Sequence, residues 1–379
     1  MKNDVPFNAQ YVAKNEVDYV MQQIIGHHEA PTRRGFAGQC KFLLEQICNT
    51  PHINLTSSCT ASLEIACLAA EIGPGDEVIL PSYNFTSAAN AVALRGATPV
   101  FVDVKRNTLN IDEAAVVSAI TSKTKAMIAV HYAGNACNMR MLSQIAKQYG
   151  LYLIEDAAQG LGASYFGKPL GSIGDFGAVS FHKTKNIHCW EGGAFLSQTP
   201  DWERFAAQVI EKGTNRWEML KGEVSKYTWV SLGSSYVLSD IQQAVLAAQL
   251  EDVSAITQQR VAAWECYHQK LEYQESLGNL IRPSIESGAS LNGHIYYIVL
   301  PRGASRDRVI KKLAGKGINA LTHYEPLHLS RAGKQYGRVS GSMSVTEECA
   351  AQLLRLPIWP GLRGSTIDYI VDQLGASLA

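Results

Sequence analysis

The sequence predicts an α/β fold: a mostly parallel sheet sandwiched by helices, followed by a smaller α+β domain. Three observations predict it. Strand-like and helix-like segments alternate through the first half of the 379 residues. The strand-like segments are almost continuously apolar, as in a sheet buried on both faces. From about Ser239 the alternation gives way to a long helical stretch and then a mixed pattern.

Thr60 to Ala70 reads as a helix because Leu63, Ala66, Cys67 and Ala70 share a face. Gly73, Pro74, Gly75 and Asp76 make a turn, and Glu77 to Leu80 is a short strand. Ser87 to Leu94 is a helix stopped at Gly96, and Pro99 to Val104 a strand. Asp112 caps a helix to about Ile120. Ala126 to His131 is a strand, Met139 to Tyr149 a helix, and Leu151 to Ile154 a strand. Gly177 to Phe181 and Gly193 to Leu196 are further strands. Ser239 to Tyr273 reads as one connecting helical stretch. Beyond it come a strand at Tyr296 to Leu300 and helices at Arg306 to Lys316, Thr346 to Leu354 and Ile367 to Leu374. The domain division is placed at 1–245 and 246–379.

Composition narrows the function. Lys plus Arg and Asp plus Glu both number 34, so the formal charge is zero, which argues against an all-basic nucleic-acid binder. Hydrophobic residues make up 46%, too many for a disordered acidic chain. The start, Met1 to Asn8, lacks a basic segment followed by an apolar one, so no signal peptide is expected. Eight cysteines form no C-x-x-C pair and no zinc spacing. A reduced, cytoplasmic enzyme without a metal is the expectation.

Parallel sheets bind ligands beyond the carboxyl ends of their strands, and three segments carry chemistry there. Thr56-Ser57-Ser58-Cys59-Thr60-Ala61-Ser62 opens a helix with hydroxyls and free N–H groups, which suits a phosphate. It is equally a Ser/Thr helix cap. Leu151 to Ile154 ends in Glu155-Asp156, where a buried acid wants a cation or caps the next helix. Ser180-Phe181-His182-Lys183-Thr184-Lys185-Asn186 follows a strand, where a desolvated lysine becomes nucleophilic, or a basic turn is simply solvated. Together they supply what pyridoxal phosphate needs: a phosphate cradle, a carboxylate for the ring nitrogen and an amine for the aldehyde.

The sequence resembles the sugar-nucleotide aminotransferases of the DegT type, which are fold-type I pyridoxal phosphate enzymes. The matching stretches run from Val5-Pro6-Phe7-Asn8 through Thr56 to Glu64, Pro81 to Phe85, Phe101 to Val104 and His131 to Gly134. They continue through Glu155 to Gln159, Ser180 to Asn186 and His323 to His328. Lys212-Gly213-Thr214-Asn215-Arg216, Lys226 to Trp229 and Gly233 to Tyr236 resemble the branch that acts on dTDP-4-oxo-6-deoxyglucose. The resemblance implies a mixed, mostly parallel, seven-stranded-type sheet. It also implies transfer of an amino group from L-glutamate to C4 of that sugar, and a cytoplasmic homodimer with shared sites that touches neither nucleic acid nor membrane. The sugar product would serve O antigen or another surface polysaccharide.

By the same resemblance, Lys185 forms the Schiff base and Asp156 pairs with the pyridinium. Gln159 and Phe85 flank the ring, and Ser180, Thr60 and Ala61 hold the phosphate. Ser235 stands where the common pattern has Asn reaching the partner's phosphate. His323, Tyr324, His328 and Arg216 fall near the sugar nucleotide. Trp190 stands where related sequences have Gly, and either packs in the dimer or narrows the sugar pocket. A related dehydratase branch has His in place of the lysine, and Lys185 argues against it. A 3-aminotransferase and a non-catalytic regulator on the same fold are the remaining alternatives.

Overall fold

The computed structural model describes residues 4–26 and 35–378. Met1 to Asn3, at the start read for a signal peptide, lie outside the described residues. The principal sheet has eight strands. In spatial order they are Ile53–Thr56, Gly193–Ser197, Phe176–Ser180, Tyr152–Asp156, Thr124–Val130, Glu77–Pro81, Thr98–Val102 and Arg338–Val339. From Phe176–Ser180 to Arg338–Val339 neighbours run parallel, and Gly193–Ser197 is antiparallel to both of its neighbours. Seven of the strands have four residues or more. The eighth, Arg338–Val339, comes from the C-terminal part of the chain and joins the edge.

The strands are apolar runs because both faces are covered. Glu77–Pro81 and Phe176–Ser180 are buried at every position. One face packs on a cluster that includes Leu44, Met127, Leu153, Val179 and Leu246. The other packs on Leu63, Ile65, Val78, Ile128, Phe176 and Phe195. Side chains alternate along each strand, so neighbouring residues feed opposite clusters.

Several elements end where their sequences say. Met139–Tyr149 starts under the Asn138 side chain and ends at Gly150 in a left-handed turn. Asp112 caps Glu113–Ala119, and Ser239 with Gln242 forms a capping box on Asp240–Glu251.

Two expectations are corrected. The stretch from Ser239 to Tyr273 is not one helix. It breaks at Asp252 into Asp240–Glu251 and Val253–Lys270, with the short Glu272–Ser276 after them. The helix expected over Thr346 to Leu354 stops at Gln352, and Leu353–Leu356 is a strand antiparallel to Tyr296–Val299. A strand buries Leu353, Leu354 and Leu356 while Arg355 stays half-buried.

A third cluster, with Trp264, Tyr296, Leu313, Leu354 and Ile370, forms the core of the C-terminal elements, and Val5 packs into it. Asp103 ties these elements to the main sheet. Its carboxylate accepts from the Val345 and Thr346 N–H groups at 3.1 and 2.8 Å.

Gly177 shows how tightly the sheet is met by its loops. A Cβ there would overlap the carbonyl of Gly171. Gly177→Ala is expected to lower the unfolding free energy by about 1–3 kcal/mol, the usual cost of overpacking. Urea unfolding checks this, and an unchanged midpoint contradicts it.

Candidate active site

The carboxyl ends of the parallel strands open into a cavity of about 620 Å³. Ser58, Thr60, Asn84, Phe85, Asp156, Gln159, Ser180, Lys185, His323 and Tyr324 line it. Segments hundreds of residues apart in sequence converge there: Ser58, Thr60, Phe85, Asp156 and Ser180 lie at strand ends or helix starts, and His323 and Tyr324 come from a loop of the C-terminal part.

Asp156 is the last residue of Tyr152–Asp156 and is buried. Its Oδ1 accepts from the Ala158 N–H at 3.1 Å. Burial pushes its carboxyl above the usual carboxylate range, against the pull of that N–H, of Lys185 and of His131. Asp156 has no ion pair with a Lys or Arg among the described residues. It is a carboxylate held ready for a cation that the protein does not supply.

Lys185 hangs from the loop between Phe176–Ser180 and Gly193–Ser197. The loop is cross-tied: Phe181 N–H donates to Gly192 at 2.8 Å, and Cys189 N–H donates back to Phe181 at 2.9 Å. Lys183 N–H donates to Trp190 at 2.9 Å, and Lys185 N–H to His182 at 2.8 Å. These bonds aim Lys185 into the cavity and leave Lys183 exposed. Burial lowers the Lys185 pKa, opposed by Cys59 and Asp156 and assisted by Arg355. A lowered pKa yields more free amine at neutral pH.

The hydroxyls gather at the start of Cys59–Ala69. Ser58 caps this helix by accepting from the Ala61 N–H at 3.1 Å. Thr60 Oγ1 and Ser87 Oγ are 2.7 Å apart, and Ser180 stands across the cavity at its strand end. A Cβ on Gly193 would overlap the backbone of Ser58 and Cys59, so the strand can lie against the helix start only with glycine there. The buried Asn84 Nδ2 has no hydrogen-bond partner. Hydroxyls, helix-start N–H groups and this orphan donor suit a phosphate.

Aromatic rings form the remaining wall. Phe85 and Tyr324 lie 6.2 Å apart, and Tyr324 stacks on His323 at 3.7 Å. Gln159 Nε2 donates to the Tyr324 hydroxyl at 2.8 Å, and its Oε1 accepts from the Ala133 N–H at 2.7 Å. Both amide ends are engaged, so the side chain has one orientation. His323 Nδ1 meets the Tyr132 hydroxyl at 2.7 Å.

The other expected residues lie elsewhere. Ala61 is buried behind the wall with its N–H taken by Ser58. His328 is clamped by both ring nitrogens, 2.7 Å from Ser82 Oγ and 3.1 Å from Glu347. Arg216 is on the surface, paired with Glu211 at 2.8 Å. Ser235 is exposed. Trp190 is 52% exposed and has a left-handed backbone, φ 72°. None of these five lines the cavity of its own chain.

Phe7, Arg260, His294 and Arg355 are among the lining residues that escape sequence reasoning. Phe7 had a signal, since it lies in the matching Val5 to Asn8 stretch. Arg355 had none: it lies just past the helix expected to end at Leu354, and the strand that carries it was not foreseen.

The donor set fits pyridoxal phosphate: hydroxyls and N–H groups for phosphate, Asp156 for a protonated ring nitrogen and Lys185 for the aldehyde. The sequence profile of the DegT/DnrJ/EryC1/StrS aminotransferase family matches residues 36–375. GDP-perosamine synthase of Caulobacter vibrioides is 32% identical over 380 residues, covering 95% of this chain and 94% of that protein. The sugar aminotransferase Spr1654 of Streptococcus pneumoniae, described as putative and solved in its PLP form, superposes with a TM-score of 0.88. It is 25% identical and covers 99% of this chain and 98% of that one. An aminotransferase from Brucella abortus superposes at 0.85, with 27% identity over 96% and 95% of the two chains. No helix among the described residues is long and apolar enough to cross a membrane.

Burial holds the His294 and His323 imidazoles well below their usual pKa, with nearby Lys185 and Arg355 adding to the shift. The unfolded chain takes up these protons near pH 6.5 and the folded chain does not, so stability falls as pH drops below about 6.5. Each ring contributes a slope of about 1.4 kcal/mol per pH unit. NMR of labelled histidine should find both rings neutral at pH 5.5. Titration of either near 6.5 contradicts burial as the cause.

Proposed function

The chain belongs to the DegT/DnrJ/EryC1/StrS aminotransferase family, as a pyridoxal-phosphate-dependent sugar transaminase, and we propose that it moves an amino group from L-glutamate to C4 of dTDP-4-oxo-6-deoxy-D-glucose. The product is a dTDP-4-amino-4,6-dideoxyhexose of gluco or galacto configuration, destined for O antigen or another surface polysaccharide. The convergence of Lys185, Asp156 and the hydroxyl cradle on one cavity supports the chemistry. The stretches Lys212 to Arg216 and Gly233 to Tyr236 support the choice of sugar.

Bound pyridoxal phosphate supplies an aldehyde to take up the amino group and an electron-poor ring to accept the electron pair left at Cα. Lys185 provides the amine that holds the aldehyde. Once released, Lys185 Nζ removes the proton from Cα of the donor and, in the second half, delivers one to C4 of the sugar. Asp156 keeps the ring nitrogen protonated. Ser180, Thr60 and the start of Cys59–Ala69 hold the phosphate, the Ala61 N–H being engaged by the Ser58 cap. Phe85 and Gln159 flank the ring, and His323 and Tyr324 shape the sugar side, while His328, clamped to Ser82 and Glu347, does not reach the cavity.

We assign 1–245 to cofactor binding and 246–379 to a smaller domain that closes the cavity. The working unit is a homodimer in the cytoplasm. Trp229, Leu232 and Trp190 are 73%, 61% and 52% exposed, an apolar surface that a second copy would cover. Arg216 and Ser235 stand on that side of the chain, outside their own cavity, and act on the partner's. Trp190 packs in the same interface.

A GDP-linked oxo-sugar is the second reading, supported by the likeness to GDP-perosamine synthase. Incubation with L-glutamate and either dTDP- or GDP-4-oxo-6-deoxyhexose, read by NMR, decides. A 4-amino product is expected from the dTDP sugar, and none with Lys185→Ala. An amine only at C3, or product only from the GDP sugar, overturns the proposed substrate.

A further inference from the structure

The backbone alone does not hold Lys185 on both sides. Before it and from Cys189 onward the loop is cross-tied, but residues 186–188 make no main-chain hydrogen bond with the rest of the described backbone. A lysine beside such a stretch would shift with it, and its flexible stem would spread the amine further.

The Asn186 side chain supplies the tie next to the lysine. It is buried, and both ends of its amide are engaged. Nδ2 donates to the Asn292 carbonyl at 2.9 Å, and Oδ1 meets His294 Nδ1 at 2.8 Å. Because Nδ2 faces a carbonyl, Oδ1 is the acceptor, and the His294 ring carries its proton on Nδ1. Two residues of the C-terminal part, 106 and 108 positions further on, thus hold the neighbour of Lys185.

The turn that receives Asn186 is itself fixed. Asn292 Nδ2 donates to the carbonyls of Gln159 and Leu161 at 2.7 and 2.9 Å, and its Oδ1 accepts from the His294 N–H at 3.1 Å. Arg260 Nη1 donates to the carbonyls of Gly293 and His294, each at 3.4 Å. A Cβ on Gly293 would overlap the Arg260 backbone, and one on Gly134 would overlap Asn292 Oδ1. The turn is wedged between Val253–Lys270 and the segment that carries Gln159.

We propose that Asn186 and His294 are positioning residues for Lys185: anchored by Asn292, they clasp the lysine loop to the C-terminal part of the chain and so aim the amine at the carbon whose proton it moves. The proposal rests on Lys185 being the proton carrier. Both residues act through the lysine, so a reaction that bypasses the lysine has no use for them. Buried amides that lose their partners also cost stability, and that loss does not depend on which base moves the proton.

The donor half of the reaction, run with L-glutamate and followed by the visible absorbance of the bound cofactor, separates the two effects. With Lys185 present, Asn186→Leu should slow the half-reaction about 100-fold with little change in the half-saturating glutamate concentration, as for a misplaced reacting group. In Lys185→Ala with ethylamine added as the base, the same substitution should cost less than about threefold, because the two changes are not additive. His294→Leu should behave like Asn186→Leu. His294→Asn, which keeps a donor near the Nδ1 position, should recover most of the loss. Before any donor is added, the pH at which the bound cofactor's absorbance changes should shift by about half a unit or more in both Leu variants, and by less in His294→Asn. Equal losses in the two backgrounds, or no loss with Lys185 present, overturn the clasp and leave Lys185 in its role. Turnover by Lys185→Ala without ethylamine overturns the role of Lys185 and this proposal with it.

Discussion

A buried carboxylate without a cation of its own is the constraint around which this molecule is organised. Asp156 ends its strand inside the cavity, and burial raises its pKa against the counterpull of the Ala158 N–H, Lys185 and His131. Leaving a charge in this condition costs several kcal/mol unless a partner arrives. On the proposed reading the cofactor's protonated ring nitrogen is that partner. Lys185 and the hydroxyls of Thr60 and Ser180 line the same cavity and would meet the aldehyde and phosphate of that molecule. Ligand charge is met locally, so a chain with zero formal charge still binds phosphate-bearing molecules.

The residue before Asp156 shows how the site is kept rigid. Glu155 points to the opposite face and is fully buried. Its carboxylate accepts from the N–H groups of Gly171, Ile173 and Gly174 at 2.9, 2.6 and 2.6 Å, and from His131 Nε2 at 2.9 Å. The Cys137 N–H donates to His131 Nδ1 at 3.1 Å, which fixes the ring proton on Nε2. One acid thus ties two strands to the turn that leads into Phe176–Ser180 and on to Lys185. Adjacent carboxylates on opposite faces divide the work, Glu155 holding the scaffold and Asp156 facing the ligand.

Much of the fold was legible in sequence because local signals agreed with tertiary ones. Met139–Tyr149 has its cap, its apolar face and its terminal glycine in order. The apolar strands could be read as a doubly covered sheet, and that located Asp156 and Lys185 at the ligand edge. What escaped was set by distant partners. Leu353 and Leu354 continue a helical apolar pattern, and only pairing with Tyr296–Val299 makes them a strand. Arg355 was lost with that strand. Asp252 breaks a helix that periodicity alone would run on. The sequence could not say that Trp190, Arg216 and Ser235 face away from their own cavity, since direction off a loop is fixed by the fold around it.

In the proposed enzyme Lys185, and not its neighbour Lys183, anchors the cofactor. Borohydride reduction of the cofactor-loaded protein, followed by peptide mass spectrometry, reads this directly. The reduced phosphopyridoxyl mass is expected on Lys185 alone. The same mass on Lys183, or no modified lysine in protein that retains the cofactor, would contradict it.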